Sequence, residues 1–207
     1  EDAPLIISTQ DIDQNGSVDP MMFCNQLSAK GNWEMFPTQF WDNLVQQSPV
    51  YRKEFNTYAA FSEANLQYYL DKNIIDATSL LDAKYDASIW IENLREGNFN
   101  LHELPDPLQL GPINDFLVVQ SEKELRIYVV GNDFGGTPFE GNFDAFQGGI
   151  MTFDGEIKFK SPQESGFYAF GDARDLELIT LQNGKKLILV SQNQGSLLVF
   201  EKLLRNK

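Results

Sequence analysis

The sequence predicts a mainly β fold with a helical insertion. Three observations carry that reading. Short apolar runs bounded by Gly-, Asn- and Asp-containing turns occur at both ends of the chain. Between them, residues 36–84 have few β-branched residues and apolar spacings of three and four, the periodicity of amphipathic helices. The apolar runs also recur in a fixed order, which marks repetition of one supersecondary unit.

Residues 1–35 open with "PLIISTQ", pass through the polar stretch "DIDQNGSVDP" and continue into "PMMFCNQ". Two apolar runs around a polar loop predict a pair of strands. The helical window follows. Phe40, Leu44 and Val45 share one face, as do Tyr58, Phe61 and Leu66. Ser48 before Pro49 reads as an N-cap with Pro at the first helical position, and Ser62 reads as a second helix start. Three or four short helices are expected, with Tyr58, Phe61, Tyr68 and Tyr69 packing between them.

Residues 85–207 return to strands. "ASIWIEN" and "NFNLHEL" are joined through Glu96-Gly97-Asn98. "GGIMTF" turns at Asp154-Gly155 into "EIKFKS", a short hairpin signal. "DLELITL" turns at Asn183-Gly184 into "KKLILVSQ", which turns at Asn193-Gln194-Gly195 into "SLLVFEKL".

These runs form three copies of one pattern. The first is "PLIISTQ", "PMMFCN", "ASIWIEN", "NFNLHEL", with residues 36–84 inserted between its second and third strands. The second is "GPINDFLVV", "LRIYVVGN", "GGIMTF", "EIKFKS". The third is "DLELITL", "KLILVSQN", "SLLVFEK", without a fourth strand. Four-stranded antiparallel units in series are the signature of a β-propeller. About three blades fall short of the roughly 4–8 that close a ring, so the expectation is an incomplete propeller with open edges. The missing blades are expected from the rest of a longer protein or from a partner. The start "EDAPLIIS" reads as the middle of a strand, in keeping with a mature or trimmed piece.

The chain resembles the FG-GAP/VCBS repeat proteins. The likeness rests on "DIDQNGSVDPMM" as a calcium loop entering a strand, on "SIWIENLREGNFNLHELP", and on "VVGNDFGG" with "GNFDAFQGGIMTFDGEIKF". It rests further on "SPQESGFYAFGDARDLELI" and "ILVSQNQGSLLVFE". Their order resembles the C-terminal part of long exported bacterial proteins of that family. The resemblance implies a propeller, export to the extracellular space or outer-membrane surface, often as a lipoprotein, and no catalysis. The second copy departs from the pattern: Val118, Gln120, Glu122 and Arg126 stand at the ligand places, and a cation at Arg126 excludes calcium there. The third copy, "LQNGKKL", is too short for such a loop.

The chemistry is bounded by composition. Net charge is −14 over 207 residues, which argues against nucleic acid and suits divalent cations. Cys24 is the only cysteine and His102 the only histidine. An internal disulfide and multi-His zinc sites are therefore excluded. Cys24 lies in an apolar run and reads as a small core residue. His102, in "NFNLHELP", reads as a strand-edge or surface residue. No apolar run approaches the ~20 residues of a membrane span. "GNDFGG" lacks the Lys and the following helix of a phosphate loop.

Two stretches are candidate sites. In "DIDQNGSVDP", Asp11, Asp13 and Asn15 alternate, Ser17 offers a carbonyl, Asp19 adds a carboxylate, and Gly16 permits the sharp turn. Ca²⁺ takes about 6–8 oxygens, which such a loop can supply. Place twelve is Met22 at the start of a strand, so the loop is not an EF-hand. The alternative is an ordinary polar turn. In "GNDFGGTPFEGNFDA", residues 131–145, the candidate ligand contacts are Asn132, Asp133, Glu140, Asn142 and Asp144; the alternative is a long connection between strands. Trp33, Trp41 and Trp90 are platform candidates, with Trp90 expected to pack inside its strand pair.

The function expected is a non-catalytic binding or assembly module of a calcium-stabilised exported propeller, contacting protein or glycan. A structural subunit of a larger surface complex is one alternative. A carboxylate-based glycan hydrolase is the other, marked by two carboxylates roughly 5–10 Å apart in a pocket. Exposed aromatic rings beside residues 131–145 would favour glycan.

Overall fold

The structure, a computed structural model, describes residues 4–83, 85–120, 124–136 and 141–201. The chain forms two compact units, Glu1–Asp86 and Ala87–Lys207. The fold is mainly β, with antiparallel sheets. Among the described residues no sheet closes on itself and no helix is long and apolar enough to cross a membrane.

In the first unit, β1 (Leu5–Ser8) pairs antiparallel with β2 (Met21–Leu27), Ile7 opposite Met22. β3 (Trp33–Pro37) returns along β2 after a tight turn in which Ser28 N–H donates to Asn32 O at 2.8 Å and Gly31 takes φ +80°. β4 (Leu80–Ala83) pairs with the other side of β1, giving the order β3-β2-β1-β4. Four short helices lie between β3 and β4: α1 (Trp41–Gln47), α2 (Val50–Glu54), α3 (Tyr58–Ser62) and α4 (Leu66–Asp71). Each is shorter than an isolated helix can be in water, so packing holds them. Met21 and Phe23, alternate residues of β2, meet Leu44, Tyr51, Phe55 and Tyr69 in a common core. Phe61 and Tyr68 pack against it, while Tyr58 is exposed and bonds Asp42.

Helix starts differ from expectation. Thr57 and Asn65 cap α3 and α4 by accepting from Ala60 N–H and Tyr68 N–H. Ser62 closes α3 instead of opening a helix; its hydroxyl donates to Ala59 O, a local bond that competes with capping. Pro49 takes the cap position of α2, one residue beyond the expected Ser48.

In the second unit, β5 (Ile89–Arg95) and β6 (Asn98–Glu103) form a two-stranded hairpin. β7 (Ile113–Gln120), β8 (Leu125–Gly131), β9 (Gly149–Phe153) and β10 (Ile157–Lys160) form a four-stranded meander. After α5 (Pro162–Ser165), β11 (Ala173–Thr180), β12 (Lys186–Gln192) and β13 (Leu198–Glu201) form a three-stranded meander. The expected turns at Asp154-Gly155 and Asn183-Gly184 join β9 to β10 and β11 to β12, with both glycines at positive φ.

The centre of this meander, β8 and β9, is buried on both faces, while Phe116 and Val118 of the edge strand β7 stay exposed. Tyr128, Val130 and Ile150 pack with Phe167, Leu176, Ile188 and Val190 of the β11–β13 side. The neighbouring residues Val129 and Met151 face the other way, toward Leu104, Leu108 and Trp90 of the hairpin side. This explains the near-continuous apolar run in β8: a strand covered on both faces has no reason to alternate.

One expectation is overturned. "ASIWIEN" and "NFNLHEL" were expected to complete the sheet begun by β1 and β2. They form their own sheet in the second unit, and β3 and β4 take the flanking places instead. The tight turn after Leu27 brings β3 back at once, and Leu80–Ala83, inside the 36–84 window, supplies the other edge. Glu122, set against a calcium site in the second copy, lies outside the described residues; Arg126 there pairs with Glu124 at 2.5 Å.

Candidate functional site

The polar loop between β1 and β2 brings three of its five expected ligands together. One carboxylate oxygen from each of Asp11, Asp13 and Asp19 lies within 4.8 Å of the others. The fold creates this convergence with backbone bonds. Asp19 N–H donates to Gln10 O at 2.8 Å and closes the loop at its neck. Within it, Asn15 N–H and Gly16 N–H donate to the two oxygens of Asp11 at 3.0 and 2.8 Å, and Asn15 N–H also reaches Asp13. Gln14 and Gly16 take positive φ, which permits the wrap.

Asp19 is 2% exposed, and Ile12 N–H donates to its Oδ2 at 2.9 Å. Burial first, and the charge of Asp19 second, push the Tyr51 phenol above its ordinary range. The other two expected ligands stand apart: Asn15 is exposed and its side-chain oxygen accepts Ser17 N–H at 2.8 Å. None of the ion pairs among the described residues involves Asp11, Asp13 or Asp19. Three gathered carboxylates, one of them buried, suit a divalent cation.

The loop is also tied to the rest of its unit. Gln10 uses both ends of its amide: Nε2 donates to Ile74 O and Oε1 accepts Asp76 N–H. Gln39 and Gln47 both donate to Pro20 O, at 3.3 and 3.1 Å. These glutamines carry no sequence motif, and the sequence reading missed them.

The second candidate, residues 131–145, divides. Asn132 is fully buried, at φ +83°. Its Nδ2 donates to Phe146 O and Gly171 O, and its Oδ1 accepts Phe146 N–H at 3.0 Å. It is a staple between two connections, and burial removes it from any ligand surface. Asp133 is half-buried; Gly135 N–H and then the Arg174 guanidinium hold its carboxyl below the usual range. Arg174 lies 2.8 Å from Asp133 and 2.7 Å from the buried Asp172. Asn142 and Asp144 are exposed. Glu140 lies outside the described residues.

Around this network stand exposed aromatic rings that the sequence reading did not single out. Phe143 pairs with Asp133 in a backbone bridge and Phe134 follows Asp133; both rings are exposed. In residues 167–170, Phe167 and Ala169 are buried while Tyr168 and Phe170 are exposed. "FYAF" is apolar or aromatic throughout, so its sequence carried no period of two and only burial separates the two faces.

The remaining candidates lie apart from these two stretches. Cys24 is half-buried in β2. His102 stacks on Trp90 with ring centroids 4.1 Å apart and bonds Glu92 at 3.1 Å. Trp90 packs toward β7–β10, Trp41 packs on the core of the first unit, and Trp33 is 69% exposed. Comparison with known protein families, with curated proteins and with solved structures finds no match.

Proposed function

We propose that the chain is a non-catalytic binding and assembly module, part of a calcium-braced array of β-sheets of the propeller kind. The observation that carries this reading is the stacking in the second unit. The central strands β8 and β9 are buried on both faces, whereas β11–β13 buries one face and the hairpin packs Trp90 against the meander. On the hairpin's other face, Ile91 and Leu101 stand opposite each other and remain 57% and 45% exposed, with Phe99 at 58%. On β13, Val199 is exposed beside Leu189 of β12. Exposed apolar residues at both ends of a stack favour further sheets, from the same protein or a partner. The three-stranded edge at β13 points the same way.

The gathered carboxylates of Asp11, Asp13 and Asp19 support the calcium part. The cation would bind those three, with Asn15 and Ser17 as the further ligands expected from the sequence. Its role is to brace the loop that Gln10 and Gln47 tie to the helices.

Sedimentation velocity of the 207-residue chain tests the assembly reading. Reversible self-association at micromolar concentration is expected, weakened in Ile91→Glu/Phe99→Glu. A monomer at every concentration overturns it.

A further inference from the structure

The end of the second unit where β8 leaves and β11 begins carries two connections that hydrogen bonds tie to each other. Asn132 bonds both of them. Ala169 N–H donates to Gln147 O at 3.0 Å, Gln192 Nε2 donates to Phe170 O, and Arg174 joins Asp133 of one connection to Asp172 of the other. These tied connections present aromatic rings to water. Tyr168 and Phe170 are 43% and 55% exposed, with centroids 5.1 Å apart. Phe134 and Phe143 stand on the facing connection, at 41% and 51%. An extended segment that buries every second residue had polar choices for the outward positions; it carries rings instead.

We propose that this face binds a neutral carbohydrate, with Tyr168 and Phe170 as the stacking platform and Asp133, Asn142 and Asp144 as hydroxyl acceptors. This rests on the binding-module reading above and names its ligand class. Two observations select that class. The Asp133–Arg174 pair, with side chains 43% and 41% exposed, lies between the ring-bearing connections. A protein docked over it would strip water from both charges at a cost, and interface centres are depleted of charged groups. Sugar hydroxyls both donate and accept, so they replace that water. Acceptors are plentiful on the connection that carries Asp133, where Asn142 and Asp144 are also exposed, and the Arg174 cation is held by two carboxylates. That charge balance repels uronates and sulfated sugars.

The test is affinity electrophoresis of the 207-residue chain in gels containing mixed-linkage β-glucan, galactomannan, arabinoxylan or polygalacturonate. Retardation by at least one neutral polysaccharide is expected, and none by polygalacturonate. Tyr168→Ala/Phe170→Ala is expected to weaken it by about tenfold or more, with unchanged circular dichroism. Trp33→Ala, in the first unit, is expected to bind as wild type. Absence of retardation in all three neutral gels overturns the proposal, as does equal retardation of the double variant. Sedimentation separates the two readings. A chain that self-associates but binds no polysaccharide keeps the assembly reading and loses this one. If Tyr168→Ala/Phe170→Ala abolishes self-association, the rings serve a protein interface and the carbohydrate proposal falls.

Discussion

The side chain of Asn132 mimics a strand partner for Phe146: it donates to the Phe146 carbonyl and accepts the Phe146 amide at 3.0 Å, in full burial. Its second donor hydrogen goes to Gly171 O at 2.9 Å, so one amide fixes two connections. Asn132→Ala leaves the Phe146 amide and two carbonyls without this partner and keeps a positive φ that alanine disfavours. Destabilisation of about 3 kcal/mol is expected by urea unfolding. A loss within about 0.5 kcal/mol would show that water replaces the amide without penalty.

The carboxylates of Asp11, Asp13 and Asp19 repel one another when no cation is bound. Calcium in excess is expected to raise the melting temperature of the wild type, by the equivalent of about 2.7 kcal/mol at a hundred times Kd. Asp13→Ala is expected to melt at one temperature with calcium or chelator. Identical melting of the wild type in both conditions rules out the site.

Tyr51 and Tyr69 bury their hydroxyls without a hydrogen-bond partner among the described residues. Removing an unpartnered hydroxyl costs nothing, so Tyr69→Phe is expected to be neutral or stabilising by about 1 kcal/mol. Burial, and for Tyr69 the neighbouring Tyr51 second, push both phenols above their ordinary value. A raised folded value means stability is intact below about pH 10 and falls as pH rises beyond it. The wild type is therefore expected to lose stability in alkali more steeply than Tyr69→Phe. Parallel alkaline limbs would contradict this.

The Asp133 carboxyl is held low by Gly135 N–H first and Arg174 second. A lowered folded value gives stability that is present above the unfolded value of about 3.9 and lost as pH falls below it. The melting temperature of Asp133→Asn is expected to lie below wild type near neutrality and to converge with it in acid. A constant gap across the acid range refutes the linkage.

Much of this protein was legible locally. Short apolar runs and, for β9 to β13, Gly turns marked the strands, because an apolar run and a hairpin's positive φ are properties of a few adjacent residues. The gathering of the acidic loop was legible for the same reason: its carboxylates lie at most eight positions apart, from Asp11 to Asp19, and Gly16 announces the turn. Helix starts were less so, since Thr57, Asn65 and Ser62 are chemically alike as caps and only packing chooses among them.

Partnership was decided by the tertiary structure alone. "ASIWIEN" has the same alternation whether it extends the sheet of β1 or forms a hairpin with β6, and the turn after Leu27 filled the place first. Asn132 shows the same limit at one residue. Its sequence neighbourhood, rich in Gly and Asn, reads as a ligand loop. Its burial and its bonds to Phe146 and Gly171, 14 and 39 residues away, make it a staple. Alternation and turn chemistry are written in neighbouring residues. Burial and partner choice are settled only when distant segments compete for the same backbone groups.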